Sequence, residues 1–418
     1  MPTIFFKKYD TKFLLTLFSI FLSNVTFATY SVFNVIFALT GCYYYLMQRG
    51  KFDALFYVII VLMLMIGLGQ AFTFGTFNYY NFGGIFLIFL IPYFAYRVVG
   101  LVYFKYFVSI IYNLCIISLV FWTLINVIPE MGVFLKSVSK VLHLDPGSDE
   151  SIIIYNVELN KSTFGFIKNS GFTAEGGLFC TFIIPALFFN SVNGNFFSKQ
   201  NIVFIFTIFT TASTAGYSAL LFFFLFVIIS LQNKVYTILL LPLIIYLGFY
   251  SITELPFMYE KVSKSFNDEM NVYNSTKNPA RKGRFLSARV DLDIIKENPF
   301  TGRGIYSEVR YLNDEEREIG YSNSYLGIVG LASRYGLVLW SLYMYLLVMF
   351  LIKINNLYHQ SKKTNKLFFL FFLLAIIAIA MGQNPFYLVV YLCMVYAGYD
   401  LITQKVRLIN IQSIKHKV

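Results

Sequence analysis

Hydrophobic and polar positions in this chain come in blocks. Apolar runs approach the roughly 17–25 residues that carry a helix across a bilayer, and they recur along the whole length. They predict helices at 13–29, 31–47, 54–72, 84–96, 106–127, 177–193, 201–213, 216–231, 235–250, 325–352, 367–382 and 386–403. The runs at 84–96 and 201–213 are short, so eleven spans is the alternative count. Polar stretches at 128–176 and 251–324 interrupt the series. The expected fold class is an all-α polytopic membrane protein with about 12 transmembrane helices. Its parts are 1–127 with five helices, a loop at 128–176, 177–250 with four helices, a large loop at 251–324, 325–403 with three helices, and a tail at 404–418. The run Phe13–Ala28 leads straight into a second one with no small-residue cleavage site, so no cleavable signal peptide is expected. No internal duplication is evident.

Composition agrees. The chain is 58% hydrophobic and 13% charged, with a mean hydropathy of +0.66. Soluble domains are nearer a quarter charged, which excludes a soluble enzyme with a single anchor. Cys42, Cys115, Cys180 and Cys393 all fall in apolar runs, without CxxC or Cys/His spacing. They are expected to be core residues, not metal ligands or disulfides.

Charge orients the spans. The N-terminus, alternate short connections and the tail hold 17 Lys and Arg against three acids, Asp10, Asp53 and Asp400. The intervening short loops at 73–83, 214–215 and 383–385 hold no Lys or Arg. Basic residues favour the cytoplasmic side, so both termini are expected inside and both long loops outside. The net charge of +12 is then a topology signal, and no nucleic-acid partner is expected.

One stretch runs against that bias. Residues 277–334 hold seven arginines: Arg281, Arg284, Arg289, Arg303, Arg310, Arg317 and Arg334. From Lys277 to Arg289 there are five cations and no acid; Asp314, Glu315, Glu316 and Glu318 follow later, near Arg310 and Arg317. A guanidinium forks onto phosphate oxygens as lysine cannot, so the segment is expected to grip an anionic, pyrophosphate-bearing substrate at the membrane surface. Residues 282–297 have helical spacing, with Phe285, Ala288, Leu292 and Ile295 as an inward stripe and the charges facing an aqueous vestibule. Asn298-Pro299 should stop this helix. Gly302 and Gly304 flank Arg303 and permit close backbone approach. Asp291 and Asp293, two apart on a helix, do not face each other, and no metal site is expected.

The run Ser287-x-Arg289, Asn298-Pro299-Phe300-x-Gly302-x-Gly304, Ser322-Asn323-Ser324-Tyr325-Leu326 and Tyr335-Gly336-Leu337 resembles the O-antigen ligase and O-antigen polymerase (Wzy-type) superfamily. The layout, many spans with one large late periplasmic loop, is similar too. The ligase pattern has a histidine where Ser322 stands, so a polymerase is the expectation. Residues 166–177, with Lys168, Glu175 and Gly176, resemble a family stretch "R-x-x-G-x-x-x-E-P". Thr210–Gly216 resembles a family "S-T-G" turn, or else serves close packing through small residues.

The resemblance implies a GT-C-like fold in the bacterial inner membrane. It implies glycosyl transfer between undecaprenyl-pyrophosphate-linked oligosaccharides at the periplasmic face, without a cofactor. Arg289, Arg303 and Glu175 are the expected catalytic residues. Arg281, Arg284, Arg334, Lys168 and Asn323 are the expected substrate-binding residues, and Asp291 is a second candidate base. Arginines aimed at the growing charge of a lipid pyrophosphate stabilise the transition state and can replace a metal. Membrane lipid, a chain-length regulator and a flippase are the implied partners. An O-antigen ligase, or a lipid-linked oligosaccharide flippase or other transporter, remain the alternatives. A transporter would place ionisable groups near mid-membrane, whereas here the cations cluster outside.

Overall fold

A computed structural model describes residues 10–22, 31–75, 77–141, 152–157, 165–192, 196–230, 242, 284–304, 327–359 and 367–403. Among these residues it holds thirteen α-helices and no strand: α1 Thr11–Phe21, α2 Ser31–Met47, α3 Ala54–Phe74, α4 Tyr79–Val99, α5 Val102–Val127, α6 Pro129–Val141, α7 Gly176–Ser191, α8 Lys199–Thr210, α9 Thr214–Ser230, α10 Arg284–Glu297, α11 Gly327–His359, α12 Phe368–Ala380 and α13 Val389–Ile402. Four of them, α3, α4, α5 and α11, are long and apolar enough to cross a membrane. The expected span at 235–250 lies almost wholly outside the described residues.

The run expected at 84–96 is a full helix. The Asn78 side chain accepts from the amides of Tyr80 and Asn81 at 3.0 and 3.3 Å, so capping starts the helix among polar residues that hydropathy passes over. Asp53 caps α3 in the same way, accepting from the Phe56 amide at 2.9 Å.

The outer faces of α2 and α3 are apolar and open. Leu39 is 66% exposed, Met65 65% and Phe72 85%, a distribution that suits lipid as the surrounding solvent. Inside, rings interdigitate: Phe188 of α7 stacks on Phe372 of α12 at 4.6 Å. Small residues let helices close up. A β-carbon at Gly216 would lie 2.5 Å from Cys180 Sγ, and one at Gly398 would lie 2.2 Å from the Leu346 carbonyl.

One end of the bundle is tied by charge. Arg97, in the last turn of α4, donates from Nη1 to both Asp400 oxygens at 2.7 and 2.6 Å. Its Nη2 donates to Asp53, and the guanidinium lies 5.1 Å from the Tyr93 ring centre. The start of α3, the end of α4 and the end of α13 are thereby pinned together. The site described below lies at the opposite ends of the same three helices.

Candidate functional site

Helix α10 presents a different face from the expected one. Ser287, Val290, Asp291 and Ile294 are buried, whereas Leu292 is 44% exposed. The Ser333 hydroxyl on α11 donates to Asp291 Oδ1 at 2.7 Å, so an acid meets the bundle between Val290 and Ile294. Asp291 therefore sits in packing and not in a vestibule. Arg289 points outward, its Nε 3.4 Å from Asp293 Oδ2 one turn on; Lys296 reaches the same carboxylate at 3.2 Å.

Asn298-Pro299 ends α10 as expected, and the next five residues are built into a break in another helix. At Gly336 the backbone of α11 leaves helical geometry, with φ 80° and ψ 165°. A broken helix exposes carbonyls on one side and amides on the other. The loop fills the break: the Arg303 amide donates to the Ser333 carbonyl, and the Leu337 amide donates to the Pro299 carbonyl, both at 2.7 Å. From α3, Gln70 Nε2 donates to the carbonyls of Thr301 and Arg334 at 2.8 Å each. Space explains the glycines. A β-carbon at Gly302 would lie 2.5 Å from the Ser333 oxygen, and one at Gly336 would lie 2.0 Å from the Phe300 oxygen. The Gly302–Arg303 and Tyr335–Gly336 motifs are thus two halves of one lock.

Two arginines leave this lock in different directions. Arg303 lies over the Phe74 ring at 4.7 Å, at the end of α3. Arg334 lies 5.5 Å from the ring centre of Tyr387, in the turn before α13. That turn also reaches Glu175. Gln383 Nε2 donates to Glu175 Oε1 at 2.7 Å, and the Gln383 carbonyl accepts from the Gly327 amide at the start of α11 at 3.1 Å. Glu175 precedes α7 and is an exposed residue. Residues 383–387 therefore link Glu175 to Arg334.

Lys168 is half-buried in the segment leading to Glu175. Its neighbour Asn169, fully buried, fastens that segment: its Nδ2 donates to Ser118 Oγ at 3.2 Å and to Thr210 Oγ1 at 3.0 Å, and its amide donates to the Thr210 carbonyl at 3.0 Å. The corner at Thr210–Gly216 is thus an anchor as well as a close contact. Arg281 and Asn323, with the side chain of Arg284, lie outside the described residues.

The structure gathers Glu175, Arg303 and Arg334 at one end of the bundle and leaves Arg289 on the outward face of α10. Sequence reasoning missed Gln70, Gln383 and Tyr387. The first two carried a signal, being amides within or at the edge of apolar runs, where an unpaired polar group is costly.

A bundle of apolar helices with an arginine loop locked into a broken helix defines a membrane protein whose polar chemistry is gathered at one end. Residues 201–344, from α8 through the lock to the middle of α11, match the model of the O-antigen ligase family. No curated protein matches this chain.

Proposed function

We propose that this protein is a polysaccharide polymerase, for O-antigen or capsule, working at the periplasmic face of the inner membrane with both termini cytoplasmic. The growing glycan is transferred from undecaprenyl pyrophosphate to the non-reducing end of a new lipid-linked repeat unit. The acceptor hydroxyl attacks the anomeric carbon, the bond from that carbon to the pyrophosphate oxygen breaks, and the hydroxyl proton passes to a base. Glu175 takes the role of base. Arg303 faces the leaving pyrophosphate, with Arg289, Arg281 and Arg284 as further cations along the loop. Lys168 and Asn323 are the residues assigned to binding the glycan.

The observation that carries this reading is the lock. It fixes the backbone at Arg303 through the Ser333 carbonyl, and the guanidinium rests over the Phe74 ring, so the charge is oriented before substrate arrives. Preorganised charge aimed where negative charge develops is the largest single term in many enzymes. The charge distribution of the short loops supports the orientation. Ser322, standing where the ligase pattern has histidine, favours the polymerase over a ligase acting on lipid A core.

The test is a deletion strain complemented with wild type, Arg303→Ala or Arg303→Lys at matched membrane levels, with surface polysaccharide run on a gel. The polymerase reading expects single-repeat glycan and no ladder in the deletion and in Arg303→Ala. Bare acceptor with polymer retained on the lipid carrier would show a ligase. Lipid-linked single units held on the cytoplasmic face would show a flippase.

A further inference from the structure

Three helix ends meet on one residue. The Gln383 amide donates to the Ile379 carbonyl at 2.9 Å and closes the end of α12, while its carbonyl accepts from the Gly327 amide at the start of α11 at 3.1 Å. Its side chain crosses to the start of α7, where Nε2 donates to Glu175 Oε1 at 2.7 Å. Gln383 itself is only 8% exposed. Glu175 departs from what its position invites. It is the N-cap of α7, where a carboxylate ordinarily accepts from an amide of the first helical turn, yet its side chain makes no capping bond. The carboxylate turns instead to a residue 208 positions further along the chain. A glycine makes room for this. A β-carbon at Gly177 would collide with Gln383 Nε2, so a larger residue in the first turn of α7 would push the amide off the carboxylate. Among the described residues, Oε1 alone of the two Glu175 oxygens has a hydrogen-bond partner.

We infer that Gln383 is a positioning residue for the glycosyl transfer: it ties Oε1 of Glu175 and leaves Oε2 to take the proton of the acceptor hydroxyl. The inference rests on the polymerase reading with Glu175 as base. As the acceptor oxygen bonds to the anomeric carbon, its O–H bond breaks and the proton passes to Oε2. The electron pair of the anomeric C–O bond leaves with the pyrophosphate. A carboxylate free to rotate offers its lone pairs in many directions, whereas one held by a charge-assisted hydrogen bond offers them in one. The same residue also sets the cation side of the site. Its carbonyl fixes Gly327, at the start of the helical segment that runs to Arg334 and the break at Gly336. The turn Pro385–Tyr387 follows directly, and its Tyr387 hydroxyl donates to the Gly330 carbonyl of that segment at 3.2 Å. Base and cation, carried by different helices, are thereby held in register from one node.

The test uses the full-length protein in nanodiscs and, as substrate, lipid-linked single repeat units extracted from the deletion strain, with kcat and KM measured across a range of pH. Gln383→Leu keeps the volume and removes the donor. It should lower kcat at least about tenfold at every pH and leave KM within about twofold. Gln383→Glu separates positioning from packing, because two carboxyls this close share a proton. While the new carboxyl is protonated it donates to Oε1 as the amide does; once both are ionised they repel. Its kcat relative to wild type should therefore be highest at acid pH and fall as pH rises. Gly177→Ala displaces the amide with Gln383 itself untouched, and should lower kcat with melting unchanged. Equal losses at every pH in Gln383→Leu and Gln383→Glu would make Gln383 a strut and overturn the inference. A raised KM at unchanged kcat, or wild-type kcat in Gln383→Leu, would overturn it too. Should the 383 variants fail to fold, Gly177→Ala decides alone, and wild-type kcat there refutes the positioning role. Glu175→Gln judges the base separately. If it keeps turnover, the base reading fails and the inference falls with it; if it loses turnover while Gln383→Leu does not, the base stands and only the positioning role fails.

Discussion

Gly336 sits so close to Phe300 that a β-carbon on it would lie 2.0 Å from the Phe300 carbonyl oxygen. Its φ of 80° is also one that other residues rarely adopt. Both constraints act on Gly336→Ala, since neither backbone can yield without breaking the Leu337–Pro299 hydrogen bond. The expected outcome is a loss of about 2–4 kcal/mol and disappearance of polymer. Thermal melting in detergent and the polysaccharide gel both read it, with Gly83→Ala as the neutral control. Wild-type melting in Gly336→Ala would show that the break is not held by this contact.

Gln70 supports the same break from α3. Gln70→Leu keeps the volume but leaves the carbonyls of Thr301 and Arg334 without their donor. Each buried orphan costs about 1–3 kcal/mol. The variant should still insert in the membrane yet lose most of its activity, because Arg303 and Arg334 both hang from the loop and the helix break that Gln70 ties together. Crosslinking of single cysteines placed at 70 and 301 in a cysteine-free background checks the proximity independently.

At Glu175, charge and hydrogen bonding can be separated. In Glu175→Gln the amide oxygen can still accept from Gln383, so the fold should survive with membrane levels unchanged. Loss of the negative charge should nevertheless lower turnover by about 10²-fold or more if Glu175 is the base. Turnover within a few-fold of wild type would instead make Glu175 a strut for the 383–387 turn.

The opposite end of the bundle is sensitive for another reason. Arg97 is the shared partner of two nearly buried carboxylates, Asp53 and Asp400. Arg97→Met leaves both uncompensated and should cost about 3–5 kcal/mol. Adding Asp53→Asn and Asp400→Asn should recover much of that, because the cost arises from the stranded charges and not from the lost attraction. Melting temperatures of the single and triple variants decide it; an equally unstable triple variant would refute the argument.

Much of this protein can be read along the chain. Long apolar runs mark α3, α5 and α11 because burying backbone polar groups in lipid leaves helix as the only open choice for a single span. Asn298-Pro299 marks the end of α10, because proline cannot continue a helix. The Gly302–Gly304 and Tyr335–Gly336 motifs point to the superfamily that residues 201–344 match. None of these signals says that the two motifs meet. Their junction rests on hydrogen bonds between residues 30 and 38 positions apart, and on Gln70 more than two hundred positions away. Periodicity reports only on neighbours within a turn or two of helix. The stripe expected on α10 failed for the same reason: its inward face carries Asp291, bonded to Ser333, a contact with another helix. The sequence by itself thus determined the apolar helices, the end of α10 and the motif residues, because each depends on local propensity or on solvent. Tertiary structure alone decided which carboxylate faces the site, where Arg303 and Arg334 diverge, and that Gln70 and Gln383 hold the site together, because those outcomes depend on which helices pack against one another.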